Sequence, residues 1–137
     1  MKILICGLPG SGKTWLAQRL HQRFKGSMWY NADVIRETFD DWDFSEEGRL
    51  RQARRMKALA NSDCRKGKIV ICDFVAPTPE IRKIFNPDKT IWMNTIDKGR
   101  FEDTNKVFVE PTTYDIQIDK FLTDKEIDEI SDRIHSI

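Results

Sequence analysis

Hydrophobic and polar positions along the chain alternate between short apolar runs and helical repeats. Lys2-Ile3-Leu4-Ile5-Cys6 is an apolar run of strand length. After it, Leu16, Ala17, Leu20 and Phe24 recur on one helical face, and Gly26 closes that segment. Residues 27–31 read as a short second strand leading into a helix from Ala32. Ser45 is placed to cap a helix running to about Lys66, with Ala53, Met56, Ala60 and Cys64 as its apolar stripe. Gly48 stands where a capping box would need Glu or Gln. Residues 68–73 form a buried strand ending in Asp73, and Thr78-Pro79-Glu80 opens a short helix. Residues 90–94 and 114–118 read as the fourth and fifth strands. Between them, 95–111 has little periodicity and reads as a long polar loop. The last segment, 124–137, is an amphipathic helix with Ile127, Ile130, Ile134 and Ile137 on one side. Strands alternating with helices predict an α/β fold: a doubly wound, parallel, five-stranded sheet with helices on both faces. Ligands of such sheets bind at the carboxyl edge.

The turn between the first strand and the first helix carries chemistry. Gly7-Leu8-Pro9-Gly10-Ser11-Gly12-Lys13-Thr14 has the spacing G-x-x-x-x-G-K-[ST] of a phosphate-binding loop, which makes the expected fold P-loop NTPase-like. Glycines let the backbone curl so that successive N–H groups face phosphate oxygens, and the helix start adds its positive dipole end. Gly7, Pro9, Gly10, Ser11, Gly12, Lys13 and Thr14 are therefore expected to bind ATP. Lys13 reaches the β- and γ-phosphates, and the Thr14 hydroxyl ligates Mg²⁺. Trp15 falls opposite the apolar face, beside the expected α-phosphate. It either covers the nucleotide or is a surface aromatic, and the pattern leaves both open. Asp73, at the end of a hydrophobic strand, is the expected second half of the site, holding Mg²⁺ directly or through water.

Two more sets of residues fall where such sheets bind ligands. Asp33 and Arg36 stand three apart at a helix start, hence on one face; the alternative is a capping Asp33 with a surface Arg36. The long helix carries Arg49, Arg51, Arg54, Arg55 and Arg65. At 100° per residue, Arg49 and Gln52 extend the apolar stripe and should point into the cleft, whereas Arg51, Arg54 and Arg55 should project into water.

Composition narrows the classes. The 137 residues, read as one domain over 1–137, carry a formal net charge of +1, so no global field recruits nucleic acid or membrane. No apolar run approaches the roughly twenty residues of a membrane span, and no signal peptide precedes the first strand. Cys6, Cys64 and Cys72 lack metal-ligand spacing and read as reduced packing residues of a cytoplasmic protein. His21 and His135 have no obvious partners and are expected at the surface. The oligomeric state stays open, a homodimer included.

Together these residues resemble the adenylyl-sulfate (APS) kinase family, from Met1 to about Asp119. Beside the phosphate loop, Asn31-Ala32-Asp33-Val34-Ile35-Arg36 resembles D-G-D-x-[VI]-R. The segment from Phe44 to Arg55 resembles F-S-x-x-D-R-x-x-N-x-R-R, the most specific block, and Phe74 to Pro77 resembles F-[IV]-S-P. Arg100 to Asp103, with Phe108 and Pro111, is similar to a loop bearing a base-stacking Phe. The resemblance implies transfer of the ATP γ-phosphoryl group to the 3′-hydroxyl of adenylyl sulfate, a small anionic nucleotide. By position, Asp33 would orient or deprotonate that hydroxyl and help Thr14 and Asp73 hold Mg²⁺. Arg36, Arg49 and Gln52 would grip the phosphosulfate, and Phe74 and Phe101 would stack on the base. Asn31 and Gly48 stand for acids, Gln52 for Asn and Ala76 for Ser. The basic helical lid expected after the fourth strand is missing or collapsed, leaving Lys98 and Arg100 as the nearby cations, with Lys98 among the expected substrate contacts. Those departures keep two alternatives: a kinase for another acceptor (a nucleoside, a small alcohol or a nucleic-acid end), and a nucleotide-binding module without turnover.

Overall fold

A computed structural model describes residues 1–99 and 102–136 of the chain. Its elements in order are β1 (Lys2–Gly7), α1 (Lys13–Arg23), β2 (Met28–Asn31), α2 (Ala32–Phe39), α3 (Glu46–Cys64) and β3 (Val70–Asp73). Then come α4 (Pro79–Phe85), β4 (Lys89–Met93), α5 (Glu102–Val107), β5 (Ile116–Ile118) and α6 (Asp124–Ser136). The strands form one sheet in the order β2-β3-β1-β4-β5, and every pairing is parallel. The central strand β1 pairs Leu4 with Cys72 of β3 and Cys6 with Trp92 of β4.

Alternation along β1 divides the core in two. Ile3 and Ile5 point to the face covered by α1 and α6, where Leu16, Ala17, Leu20 and Phe24 meet Ile127, Ile130 and Ile134. Leu4 and Cys6 point to the other face, covered by α3 and α4 through Ala53, Met56, Ala60, Ile81 and Phe85. Both faces of the central strands are thus buried, which is why these strands are unbroken apolar runs. Cys6 and Cys72 are buried and Cys64 half-buried, and all three are free thiols. Burial pushes the Cys6 thiol up to about 11, so it packs as an inert apolar group.

Some expected details differ. The polar loop after β4 contains a helix, α5, too short for periodicity to announce. β5 is three residues long, beginning at Ile116. His21 is half-buried, its Nδ1 2.8 Å from Ser27 Oγ, whereas His135 is exposed as expected, although its ring lies edge-on to Phe24 at 4.9 Å between ring centres. Ile137 lies outside the described residues. At the start of α3, Ser45 Oγ accepts from the Gly48 N–H at 3.2 Å, as a cap should. Gly48 itself is buried beneath the turn before it: a β-carbon there would stand 2.2 Å from the Asp43 carbonyl oxygen.

Candidate functional site

A cavity of about 750 Å³ opens at the carboxyl ends of the strands. One wall is the phosphate loop and first turn of α1: Pro9, Gly10, Gly12, Lys13, Thr14 and Trp15. Gly10 and Gly12 adopt φ of +89° and +96°, which lets the loop curl. Lys13 is buried, and its Nζ donates to the Leu8 carbonyl across the loop at 3.0 Å. Gly7 and Ser11, expected among the binding residues, lie behind this lining. A β-carbon on Gly7 would stand 2.6 Å from the Met93 carbonyl oxygen, so this glycine serves the approach of β1 to β4. The Ser11 hydroxyl is buried with no hydrogen-bond partner among the described residues, and its backbone N–H donates to Leu8 O at 3.1 Å.

Beside the loop, the first turn of α1 and the ends of β2 and β3 bring four polar groups together. Thr14 Oγ1 donates to Asp73 Oδ1 at 3.1 Å. Asn31 Nδ2 donates to the same Oδ1 at 3.0 Å and to Thr14 Oγ1 at 3.1 Å. The Trp29 indole Nε1–H donates to Asp73 Oδ2 at 2.6 Å. Burial pushes the Asp73 carboxyl up to about 6, against the hydrogen bonds from Trp29, Thr14 and Asn31 and the charge of Lys13. A buried carboxylate beside a hydroxyl is a donor set suited to a hard cation that keeps several waters. Asp33 lines the same cavity. Among the described residues, no three His, Cys, Asp or Glu side chains gather into a metal cluster.

The opposite wall comes from α2, α3 and the segment after β3. Asn31 caps α2 by accepting from the Val34 N–H at 3.1 Å, so Asp33 has no capping duty and stands in the cavity lining. Arg36 is buried, not at the surface. Its Nη1 donates to the carbonyls of Asp41 and Asp43 at 2.9 and 3.2 Å, and its guanidinium lies 4.3 Å from the Phe44 ring centre. Arg49 and Gln52 both turn inward and line the cavity. Arg49 Nη2 approaches Thr104 Oγ1 of α5 at 3.4 Å. The Gln52 amide is used within the protein, donating to Ala32 O at 3.1 Å and accepting from Arg55 Nη1 at 2.8 Å. Phe74 lines the cavity with its ring against Phe85.

Arg51 and Arg54 are exposed, as helix geometry requires, but Arg55 is not free in water. It is half-buried, donates to Asp41 Oδ2 at 3.0 Å and lies 4.4 Å over the Phe39 ring. The turn 40–45 folds back over α3 and covers it, a long-range effect invisible to a helical wheel. Arg51 and Arg55 together hold the Asp41 carboxyl well below the usual carboxylate range. Lys98, expected to touch substrate, is exposed outside the lining, with Nζ 3.6 Å from Glu102. Phe101 and Arg100 lie outside the described residues. Trp15 lines the cavity, yet is half-buried against the core, with the Arg19 guanidinium stacked 3.9 Å over its ring. Trp42, Phe44 and Thr104 also line the cavity and were not foreseen as site residues. For Phe44 the F-S block was a signal; Thr104 reaches the site only because α5 exists.

A parallel sheet of this strand order, with a glycine-rich phosphate loop after its central strand, defines a P-loop NTPase-like α/β protein. Residues 1–111 match the family model described as adenylylsulphate kinase, and the chain belongs to that family. It is 36% identical over 87 residues to a probable adenylyl-sulfate kinase of Aeropyrum pernix, covering 60% of this chain and 48% of that protein. It is 31% identical over 98 residues to the adenylyl-sulfate kinase of Pseudomonas entomophila, covering 65% and 47%. The matches span about half the length of these curated relatives. In fold, the chain resembles the Mycobacterium tuberculosis APS kinase CysC solved with AMPPNP and APS. The TM-score is 0.83 at 19% identity, over 98% of this chain and 97% of that one. Shikimate kinase from Aquifex aeolicus shares the fold more loosely, with a TM-score of 0.69 at 16% identity over 99% and 97% of the two chains. Among the described residues, no helix is long and apolar enough to cross a membrane.

Proposed function

We propose that this chain is an ATP-dependent kinase that phosphorylates the 3′-hydroxyl of adenylyl sulfate. The observation that carries the reading is the single cavity between the phosphate loop and an inward guanidinium: Lys13 and Thr14 form one wall, Asp33, Arg49 and Phe74 the other. Lys13 and the loop N–H groups hold the ATP phosphates. Asp33 accepts the proton of the acceptor hydroxyl as its oxygen bonds to the γ-phosphorus and the bridge to ADP breaks. Arg49 pairs with the anionic phosphosulfate, Arg36 lends charge from behind, and Phe74 supplies an apolar face for the base. Gln52 acts mainly by fixing the wall, since both ends of its amide bond within the protein. Thr14 and Asp73, with Asp33 nearby, are the residues that would hold Mg²⁺, whose charge neutralises the transferring phosphoryl oxygens. Phosphoryl transfer of this kind is mostly positioning and charge stabilisation, which a preformed cavity supplies. The proposed setting is the cytoplasm.

One observation favours another acceptor. Arg36 and Gln52, two of the three groups expected to grip phosphosulfate, are bonded to backbone carbonyls, leaving Arg49 as the principal anion contact. A small alcohol with a single anionic group would satisfy that wall. ADP release with adenylyl sulfate, measured against AMP, nucleosides, anionic polyols and oligonucleotides, separates the two readings. Selective stimulation by adenylyl sulfate supports the first, and equal stimulation by all acceptors overturns it. Tight ATP binding with no turnover on any acceptor identifies a binding module.

A further inference from the structure

The Trp29–Asp73 contact assigns a task to a residue outside the cavity wall. Thr14, Asn31 and Asp73 line the cavity; Trp29 does not, and reaches it only through the Asp73 carboxylate. We propose that Trp29 is a positioning residue. Its indole N–H pins Asp73 Oδ2 at 2.6 Å and so keeps Oδ1 turned to Thr14, presenting the carboxylate to a divalent cation bound with the nucleotide. The inference rests on the proposed ATP·Mg²⁺ reading of the cavity.

The geometry argues for a role beyond packing. An ionised carboxylate accepts at about four lone-pair sites. Here Oδ1 takes Thr14 and Asn31, and Oδ2 takes Trp29, so rotation of the carboxylate is locked by donors on both oxygens. The indole is itself held. It packs against the α1–α6 core, and its ring centre lies 6.0 Å from that of His21, which is bonded to Ser27. A phenyl ring would fill much of that space, whereas it would leave Asp73 Oδ2 without the indole N–H it accepts from. Residues behind a metal ligand commonly set its orientation and affinity in this way.

The test is calorimetric binding of ADP with and without MgCl₂ to wild type, Trp29→Phe, Asp73→Asn and the double variant. Trp29→Phe should cut the Mg²⁺-dependent gain in ADP affinity about tenfold, leave metal-free ADP binding unchanged, and add nothing in the Asp73→Asn background. Three results overturn the proposal: an unchanged Mg²⁺ gain, an equal loss of metal-free binding, or a further loss on top of Asp73→Asn. Absence of any Mg²⁺ gain in wild type overturns the underlying ATP·Mg²⁺ reading, and the proposal with it. Should Trp29→Phe fold poorly, ¹⁵N-indole spectra of wild type and Asp73→Asn, with four tryptophans in the chain, ask the same question. The indole resonance displaced by Asp73→Asn should also move on adding Mg²⁺ and ADP; displacement of none overturns the assignment.

Discussion

The two walls of the cavity are built by different means. The phosphate-loop wall is shaped mainly by local bonds, Lys13 to Leu8, Ser11 to Leu8 and Leu16 to Gly12, and is then tied to the sheet through Thr14–Asp73 and Thr95–Ser11. The facing wall is assembled from afar. Gln52 is tied to Ala32, Arg49 to Thr104, and Val109 N–H donates to Pro77 O at 2.7 Å, while Arg36 is held closer by, on the turn 40–45. Arg82 of α4 bonds the Ala76 carbonyl at 2.8 Å and also the Val109 carbonyl, clamping the segment after α5 against the loop after β3. A backbone cradle needs only glycines in the right places. A side-chain wall depends on every element that positions it, and so can change its ligand without changing the fold.

Substitutions can break or sharpen that contrast. The largest effect is expected at the loop: under the proposed activity, Lys13→Ala lowers kcat by about 10³-fold or more for every acceptor, as does Asp33→Ala, measured by ADP release. Asp73 comes next, and its effect is on stability. Its folded-state value of about 6 exceeds the unfolded 3.8, so the folded chain binds the extra proton between those values. The stabilisation is fully present below pH 3.8 and is lost as pH rises through 6, a difference of about 3 kcal/mol at about 1.4 kcal/mol per pH unit. Asp73→Asn should therefore remove most of the fall in stability between pH 4 and pH 8 that the ligand-free wild type shows, read from urea unfolding at both. Arg49→Ala should raise KM for an anionic acceptor roughly 10- to 100-fold while leaving KM for ATP nearly unchanged, since it removes a charged hydrogen bond from the acceptor side alone. The smallest pair tests the turn over α3. Arg55→Ala, losing Asp41, Gln52 and the Phe39 ring, should cost about 1–2 kcal/mol of unfolding free energy, and Arg54→Ala less than about 0.5. Equal losses at 54 and 55 would show that the turn does not bind the helix.

What could be read from the chain follows the same division. The parallel five-stranded sheet, both helical layers and the cradle were legible because they rest on periodicity and on one contiguous motif; the order of the strands was not, since it depends on which distant strands pair. The inward turn of Arg49 and Gln52 was legible too, since a helix fixes its faces whatever surrounds it. Arg55 was misjudged because a neighbouring turn covered a face that the helix alone would leave in water. Trp29 gave no signal as more than a strand aromatic, since its N–H acquires meaning only when β2 and β3 pair and bring it to Asp73. Lys98 lies outside the cavity lining, its ammonium 3.6 Å from Glu102 at the start of α5, a helix of six residues that periodicity does not announce.

Gly48 carries a consequence for how this sequence can vary. Where the family pattern has an acid, this chain has laid the Asp43 carbonyl into the space a side chain would need. Restoring the ancestral-looking residue alone would collide with the main chain, push out the 40–45 segment, and cost Arg36 two of its carbonyl partners. The departure is therefore self-locking. An engineer wishing to reinstate the acid must rebuild the preceding turn in the same step.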